Sequence, residues 1–326
     1  MCRIMAIGGI KPHVSKKKLW DFMFRATPLM LQGNNDGLGY AAMGKEGIWG
    51  ERWFDTDQAW KEDSRKAYTQ KDEEVNKKFK GALETDLKYN RFGVMQPATT
   101  TAVIFHSRAA TTPKTLENVH PFVRDDVALI HNGVIRNHEM LKKVYSTCDS
   151  EVILNEYVDE DVANKPEMIS EVTQAINGSY GCAVLSIDKD KKRHLDIFRE
   201  TSSVYACYVD ELETTVFCTS PEIIRETCKA LKWTYRHMFK LKERVFIRMD
   251  CETGTPILQK DFQVWSYKSN WENNSSSGGT ADAGKHQSEM KQNSTDNGQK
   301  DTESEKKSAL VLVPTQEELE KLRAAQ

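Results

Sequence analysis

The chain has 326 residues, 39% of them apolar and 29% charged, with a net charge of −2; this is a globular balance with no global electrostatic pull toward nucleic acid or an anionic membrane. No run approaches the ~20 apolar residues of a membrane span. Seven cysteines are present without a Cys-x-x-Cys pair, which argues against a zinc cage or a disulfide framework and fits a reducing cytoplasm.

In chain order, the first feature is Met1-Cys2-Arg3-Ile4. Removal of Met1 would leave one residue carrying both a thiol and a free α-amine. Such an amine titrates near ~7.7–8.0 and can take the thiol proton close to neutral pH. The apolar run at 4–10 is short, lacks a basic leader and is followed by Lys11-Pro12, so it is not read as a signal peptide. A charge-dense stretch at 62–90 predicts a helical surface insertion. Short strand-like runs follow at 101–106, 127–131, 182–187, 195–198, 204–209 and 215–218, with helical spacing at 168–176 and 221–231. Many short strands with fewer helices predict an α+β layered domain with antiparallel sheets.

Composition changes after about residue 265. From 272 to 308 there is no Val, Leu, Ile, Phe, Tyr or Trp, too little apolar surface to offset the entropy of ordering. The expected organisation is a folded domain over 2–265, a disordered polar linker over 266–308 and a short terminal segment over 309–326. That last segment holds a capping-box pattern at Thr315 and Glu318, with Leu319 and Leu322 on one helical face. It is readable as a docking helix or as a frayed end.

Four segments carry chemistry: Cys2, HSRAAT at 106–111, HNGVIRNHE at 131–139 and DSEVI at 149–153. Amide hydrolysis needs a nucleophile, a proton shuttle and donors for the developing oxyanion. Cys2 offers the first two. The Asn132 side-chain amide and the Gly133 N–H are candidate oxyanion donors, and glycine permits close backbone approach. Arg108 offers a planar fork for a carboxylate, and Asp149 a counter-charge for an ammonium. A carboxylate and an ammonium describe the head of an amino acid, and an amide side chain on it suggests glutamine. Taken singly, each feature has a plainer reading. Arg108 reads as a surface ion pair, Asn132-Gly133 as a turn, and Asp149 as a cap for a helix at 152–157.

Together and in this order, the segments resemble the class II glutamine amidotransferase domain, an N-terminal-nucleophile hydrolase, as in the glutaminase half of glucosamine-6-phosphate synthase and of the purine amidophosphoribosyltransferase. The segment at 106–111 resembles that family's HTRWAT motif, 131–139 resembles HNGIIENHE, and 149–153 resembles DTEVI. Asn35-Asp36-Gly37-Leu38-Gly39 and Gly178-Ser179-Tyr180-Gly181 resemble two weaker family elements. The resemblance covers about 2–265, with an extra insertion between Met43 and Thr101.

What the resemblance implies is a four-layer αββα sandwich of the N-terminal-nucleophile hydrolase type, with a disordered C-terminal tail. Cys2 would be the nucleophile, its α-amine the base, and a γ-glutamyl thioester the intermediate. Arg108, Thr111 and Asp149 would bind substrate, Asn132 and Gly133 would form the oxyanion hole, and no metal or organic cofactor would be required. His106 and His131 are read as structural hydrogen-bonding residues rather than ligands. Three departures stand out: Ala109 replaces the family's Trp, Thr112 its His, and Arg3 the commoner Gly. The expected activity is a cytoplasmic glutaminase that converts L-glutamine to glutamate and ammonia and supplies a separate synthase, with no nucleic acid or membrane partner. Two alternatives stand beside it: a hydrolase of another γ-glutamyl amide or peptide, and a non-catalytic partner-binding module.

Overall fold

The computed structural model describes residues 2–34, 36–53, 100–110, 114–143 and 145–265. The expected insertion at 62–90, the linker at 266–308, the terminal segment at 309–326 and the candidate residue Thr111 lie outside the described residues.

In chain order the strands are β1 (Arg3–Gly8), β2 (Gly37–Gly44), β3 (Gly47–Trp53), β4 (Ala102–Arg108), β5 (Phe122–Arg124), β6 (Val127–Ile135), β7 (Gly178–Ile187), β8 (Arg193–Arg199), β9 (Tyr205–Val209), β10 (Thr214–Cys218), β11 (Tyr235–Lys240), β12 (Val245–Asp250) and β13 (Pro256–Asp261). The helices are α1 (Lys16–Leu31), α2 (Glu151–Asp159), α3 (Ile169–Ala175) and α4 (Pro221–Leu231). The strands form a seven-stranded sheet, ordered β11-β9-β10-β1-β4-β2-β3, and a six-stranded sheet, ordered β13-β12-β8-β7-β6-β5. Every recorded pairing is antiparallel.

Side-chain alternation along a strand sorts residues to opposite faces, and here it builds layers. Met5 and Ile7 of β1 and Val103 and Phe105 of β4 join a core with Phe22 and Met23 of α1 and Ile224 of α4. On the second sheet, Leu129 and Val184 join a separate core with Val152 and Tyr157 of α2 and Val172 of α3. The intervening residues of β1 and β4, such as Ile4, Ala6 and Ile104, are buried too. They face the second sheet, where β1 and β4 lie against β6 and β7. The result is helices, sheet, sheet, helices: the four-layer αββα arrangement.

This alternation also fixes which way the start of the chain points. Met5 and Ile7 face the helices, so Cys2, Ile4 and Ala6 face the second sheet. Arg3 points to the helix side, where its guanidinium donates to the carbonyls of Leu29 and, at 3.2 Å, Met30. These are last-turn carbonyls of α1, where a cation meets both unsatisfied acceptors and the negative end of the helix dipole. The Arg3 departure thus serves to anchor α1 under β1.

The structure lengthens one predicted strand of the site and adds strands the sequence reading did not mark. The strand expected at 127–131 runs on to Ile135, and the segment after Gly44 turns back as β3, in register with β2 from Gly44↔Gly47 to Leu38↔Trp53.

Candidate active site

Cys2 is half-buried at the head of β1. The β1–β4 register pairs Arg3 with Ser107, which sets Cys2 beside the end of β4 that carries Arg108. The Cys2 Sγ donates to the Ala109 carbonyl at 3.6 Å. Thr219 pins this end of β1 from the other side: its hydroxyl accepts the Ile4 N–H at 3.2 Å, and its own N–H donates to the Ile4 carbonyl at 3.1 Å. Burial pushes the Cys2 thiol above its ordinary range, with the Arg108 charge pulling it down and Asp149 pushing it up. These couplings place Cys2, Arg108 and Asp149 within electrostatic reach of one another.

The loop after Arg108 is held by Asp36, from the weak Asn-Asp-Gly-Leu-Gly element. The Ala110 N–H donates to Asp36 Oδ2 at 2.9 Å, and the Asp36 N–H donates to the Arg108 carbonyl at 2.9 Å. Lys114 pairs with the same carboxylate at 2.6 Å. The sequence marks this motif as minor; in the fold it is the brace under Arg108.

Asn132 and Gly133 sit inside β6, paired with Gly181 and Tyr180 of β7, so the turn reading of this dipeptide does not apply. Gly133 has φ +150, and a Cβ added there would lie 1.9 Å from the Ser179 carbonyl oxygen. Only glycine lets β6 and β7 approach this closely. Asn132 lines the same cavity as Cys2.

The capping reading of Asp149 also fails. The N-cap of α2 is Ser150, with no side-chain capping bond. Asp149 instead accepts the Ile135 N–H through Oδ2 at 2.7 Å, which ties the end of β6 to the start of α2. Glu151 of the same motif accepts the N–H groups of Tyr145 and Ser146 at 2.9 and 2.7 Å. Asn137, from the long motif, bridges the Ala175 carbonyl and the Asn177 N–H, both at 2.8 Å. Half of each motif is therefore scaffold, holding the other half in place.

A cavity of about 680 Å³ opens at Cys2 and Asn132. Its hydroxyl-rich wall comes from Ser179, Thr201, Ser202, Ser203, Thr219 and Ser220, residues to which sequence reasoning assigned no role. Arg199 sets that wall: its buried guanidinium donates to the carbonyls of Ser202, Leu241 and Thr201 at 2.7, 2.8 and 2.9 Å. Serines and threonines in loops carry no distinctive spacing, so only the Gly178-Ser179-Tyr180-Gly181 motif hinted at this wall. Arg108 and Asp149 are 2% and 7% exposed and lie outside the lining of this cavity. No group of three or more metal-ligating side chains occurs among the described residues. All seven cysteines are free. No helix among the described residues is long and apolar enough to cross a membrane.

No family model matches the chain. Over 112 residues it is 31% identical to the glutamine–fructose-6-phosphate aminotransferase (isomerizing) of Vibrio cholerae, covering 31% of this chain and 18% of that one. Over 120 residues it is 33% identical to the Aliivibrio fischeri protein of the same name, covering 33% and 19%. The chain thus spans less than a fifth of these curated relatives. The solved glutamine phosphoribosylpyrophosphate amidotransferase of B. subtilis superposes with a TM-score of 0.51 at 14% identity, over 81% of this chain and 49% of that one. At that identity the likeness is one of fold: two facing antiparallel sheets between helical layers, the N-terminal-nucleophile hydrolase architecture. Over about a third of its length in sequence, and over most of its length in fold, the chain is similar to class II glutamine amidotransferase domains.

Proposed function

We propose that the protein is a glutaminase of this family, hydrolysing L-glutamine to glutamate and ammonia through a thioester on Cys2. The observation that carries the reading is the convergence at one end of the sheet pair. Cys2 and Asn132 line one cavity, and the charges of Arg108 and Asp149 act on the Cys2 thiol.

After removal of Met1, the α-amine of Cys2 takes the thiol proton and Sγ attacks the amide carbon. The Asn132 side-chain N–H and the Gly133 N–H receive the oxyanion. The C–N bond then breaks, the departing nitrogen takes the proton from the α-ammonium, and ammonia leaves. Water, deprotonated by the same amine, opens the thioester, releases glutamate and returns the proton to sulfur. A thiol raised by burial is protonated at neutral pH, so it needs the adjacent base. Arg108 and Thr111 hold the substrate α-carboxylate end and Asp149 its α-ammonium; a separate synthase consumes the ammonia. Cys2→Ala should abolish glutamate release while leaving the fold intact, and wild-type turnover by that variant would end this reading.

The cavity favours keeping a second reading in view. It is lined by six serines and threonines and not by Arg108 or Asp149, and it has more room than departing ammonia needs. A γ-glutamyl amide with a larger polar amine would use that room. Turnover of γ-glutamyl peptides above that of glutamine would favour this reading over the first.

A further inference from the structure

Three imidazoles lie out of solvent behind the Asn132-Gly133 segment, and the thioester mechanism uses none of them. His106, His120 and His131 are all buried. His106 shares the inner face of β4 with Arg108, two residues on. Its Nε2 is 3.2 Å from the His131 carbonyl; a carbonyl only accepts, so His106 carries its proton on Nε2. The β5–β6 ladder ends at Phe122↔Leu129. Two residues further along β6, an imidazole from the other sheet thus supplies the donor that a longer β5 would have given.

His131 itself points to the helix side. Its Nδ1 is 2.8 Å from the Ser150 hydroxyl, next to Asp149. Its Nε2 lies under Gly133, 2.8 Å from where a Cβ on that residue would sit. His120 packs on His106 with ring centroids 4.1 Å apart and turns its edge to Phe122 at 4.7 Å, which fixes the His106 ring plane. His106 Nδ1 and both nitrogens of His120 have no hydrogen-bond partner among the described residues. The neighbouring inner-face positions are Ile4, Ile104 and Ile130, so an apolar side chain would avoid the cost of burying these nitrogens.

We propose that His106 and His131 are positioning residues for amide hydrolysis, forming a cross-sheet brace that holds the Asn132-Gly133 donor pair in register with Cys2. His106 ties the carbonyl immediately before Asn132 to the sheet that carries Cys2 and Arg108. His131 runs from Ser150 to the underside of Gly133, so Asp149 and the donor pair move as one body. The proposal rests on the glutaminase reading for its catalytic consequence, whereas the brace itself is a statement about geometry.

The test compares His106→Leu, which removes the donor, with His106→Gln, which keeps a terminal N–H at similar reach. Loss of about an ångström of alignment costs on the order of 10² in rate. In the leucine variant kcat for glutamine should therefore fall ~30–100-fold with KM within about twofold, and glutamine at 106 should restore kcat to within ~5-fold. In protein labelled with [15N]glycine, the Gly133 amide resonance should shift in the leucine variant and return toward its wild-type position in the glutamine variant. If the leucine variant does not fold, His106→Asn, polar but too short to reach His131, takes its place with the same expectation. A donorless variant with wild-type kcat and an unmoved Gly133 resonance would overturn the proposal, as would a folded glutamine variant no better than the donorless one. Absence of glutamine turnover in the wild type would defeat the glutaminase reading instead, leaving the Gly133 resonance to decide the brace alone.

Discussion

Replacing Gly133 by alanine tests the site at its tightest point. The new methyl would sit 1.9 Å from the Ser179 carbonyl oxygen, 2.7 Å from the Ser179 carbonyl carbon and 2.8 Å from His131 Nε2. Ordinary carbon–oxygen contacts in sheets lie near ~3.3–3.6 Å, so β6 and β7 must part locally by about 1.4 Å or more. Neither neighbour can swing away: one is backbone, and the other is held by Ser150 at 2.8 Å. Overpacking of this kind costs roughly 1–3 kcal/mol, and the φ of +150 adds ~1–2 kcal/mol for a residue with a Cβ. A total of about 2–5 kcal/mol still leaves many domains folded, while a shift of over an ångström in the oxyanion donors should lower kcat at least ~10²-fold. Urea unfolding followed by circular dichroism measures the first quantity, and coupled glutamate detection measures the second. An alanine variant with wild-type stability and wild-type kcat would refute both the close packing and the placement of the donors.

Other consequences follow from particular side chains. Arg108→Ala should raise KM for glutamine by ~10–150-fold through loss of a charge-assisted contact worth ~1.5–3 kcal/mol; steady-state kinetics with an unchanged KM would remove Arg108 from the substrate clamp. Asp196→Ala strands the Arg248 guanidinium, which is buried and bonded to that carboxylate at 2.6 and 2.8 Å, and should destabilise the fold by ~3–5 kcal/mol in chemical denaturation; a change under 1 kcal/mol would contradict the network. Burial pushes His106 down to about 3 and His120 well below its ordinary range, so both are neutral in the fold while the unfolded chain binds protons below pH ~6.5. The unfolded state then holds more protons, so stability should fall as pH drops from ~6.5 toward ~3. His120→Phe should flatten that slope, and an unchanged slope across the range would mean that His120 is not buried neutral.

The candidate site residues were legible because they sit in contiguous motifs. Arg108, Asn132 and Gly133 each lie in a strand whose short apolar run marks it, Asp149 stands just before the apolar start of α2, and the helix at 221–231 announces itself by Ser220, Pro221 and its periodicity. What escaped depends on contacts distant in sequence. The α1 helix has apolar residues at helical spacing, yet it begins with three lysines and contains Pro28, signals that argue against a helix. The strands β11 and β13 are half-exposed and polar, with little period-two contrast to read. The hydroxyl wall at Ser179 and 201–203 is set by Arg199, which bonds to Leu241 as well as to its own loop. His120 lies in no motif and matters only through the ring it packs against. A second asparagine in the long motif, Asn137, closes the loop after α3, a role that no sequence spacing marks.

The central claim is that Cys2 opens the side-chain amide of glutamine. The most direct measurement is glutamate release from L-glutamine by purified protein whose intact mass shows Met1 removed, with and without a glutamine-analogue alkylator. The account predicts steady turnover that stops when one equivalent of alkylator is attached, with the added mass mapping to Cys2. Correctly processed protein that releases no glutamate, or that keeps turning over with Cys2 fully alkylated, would contradict it.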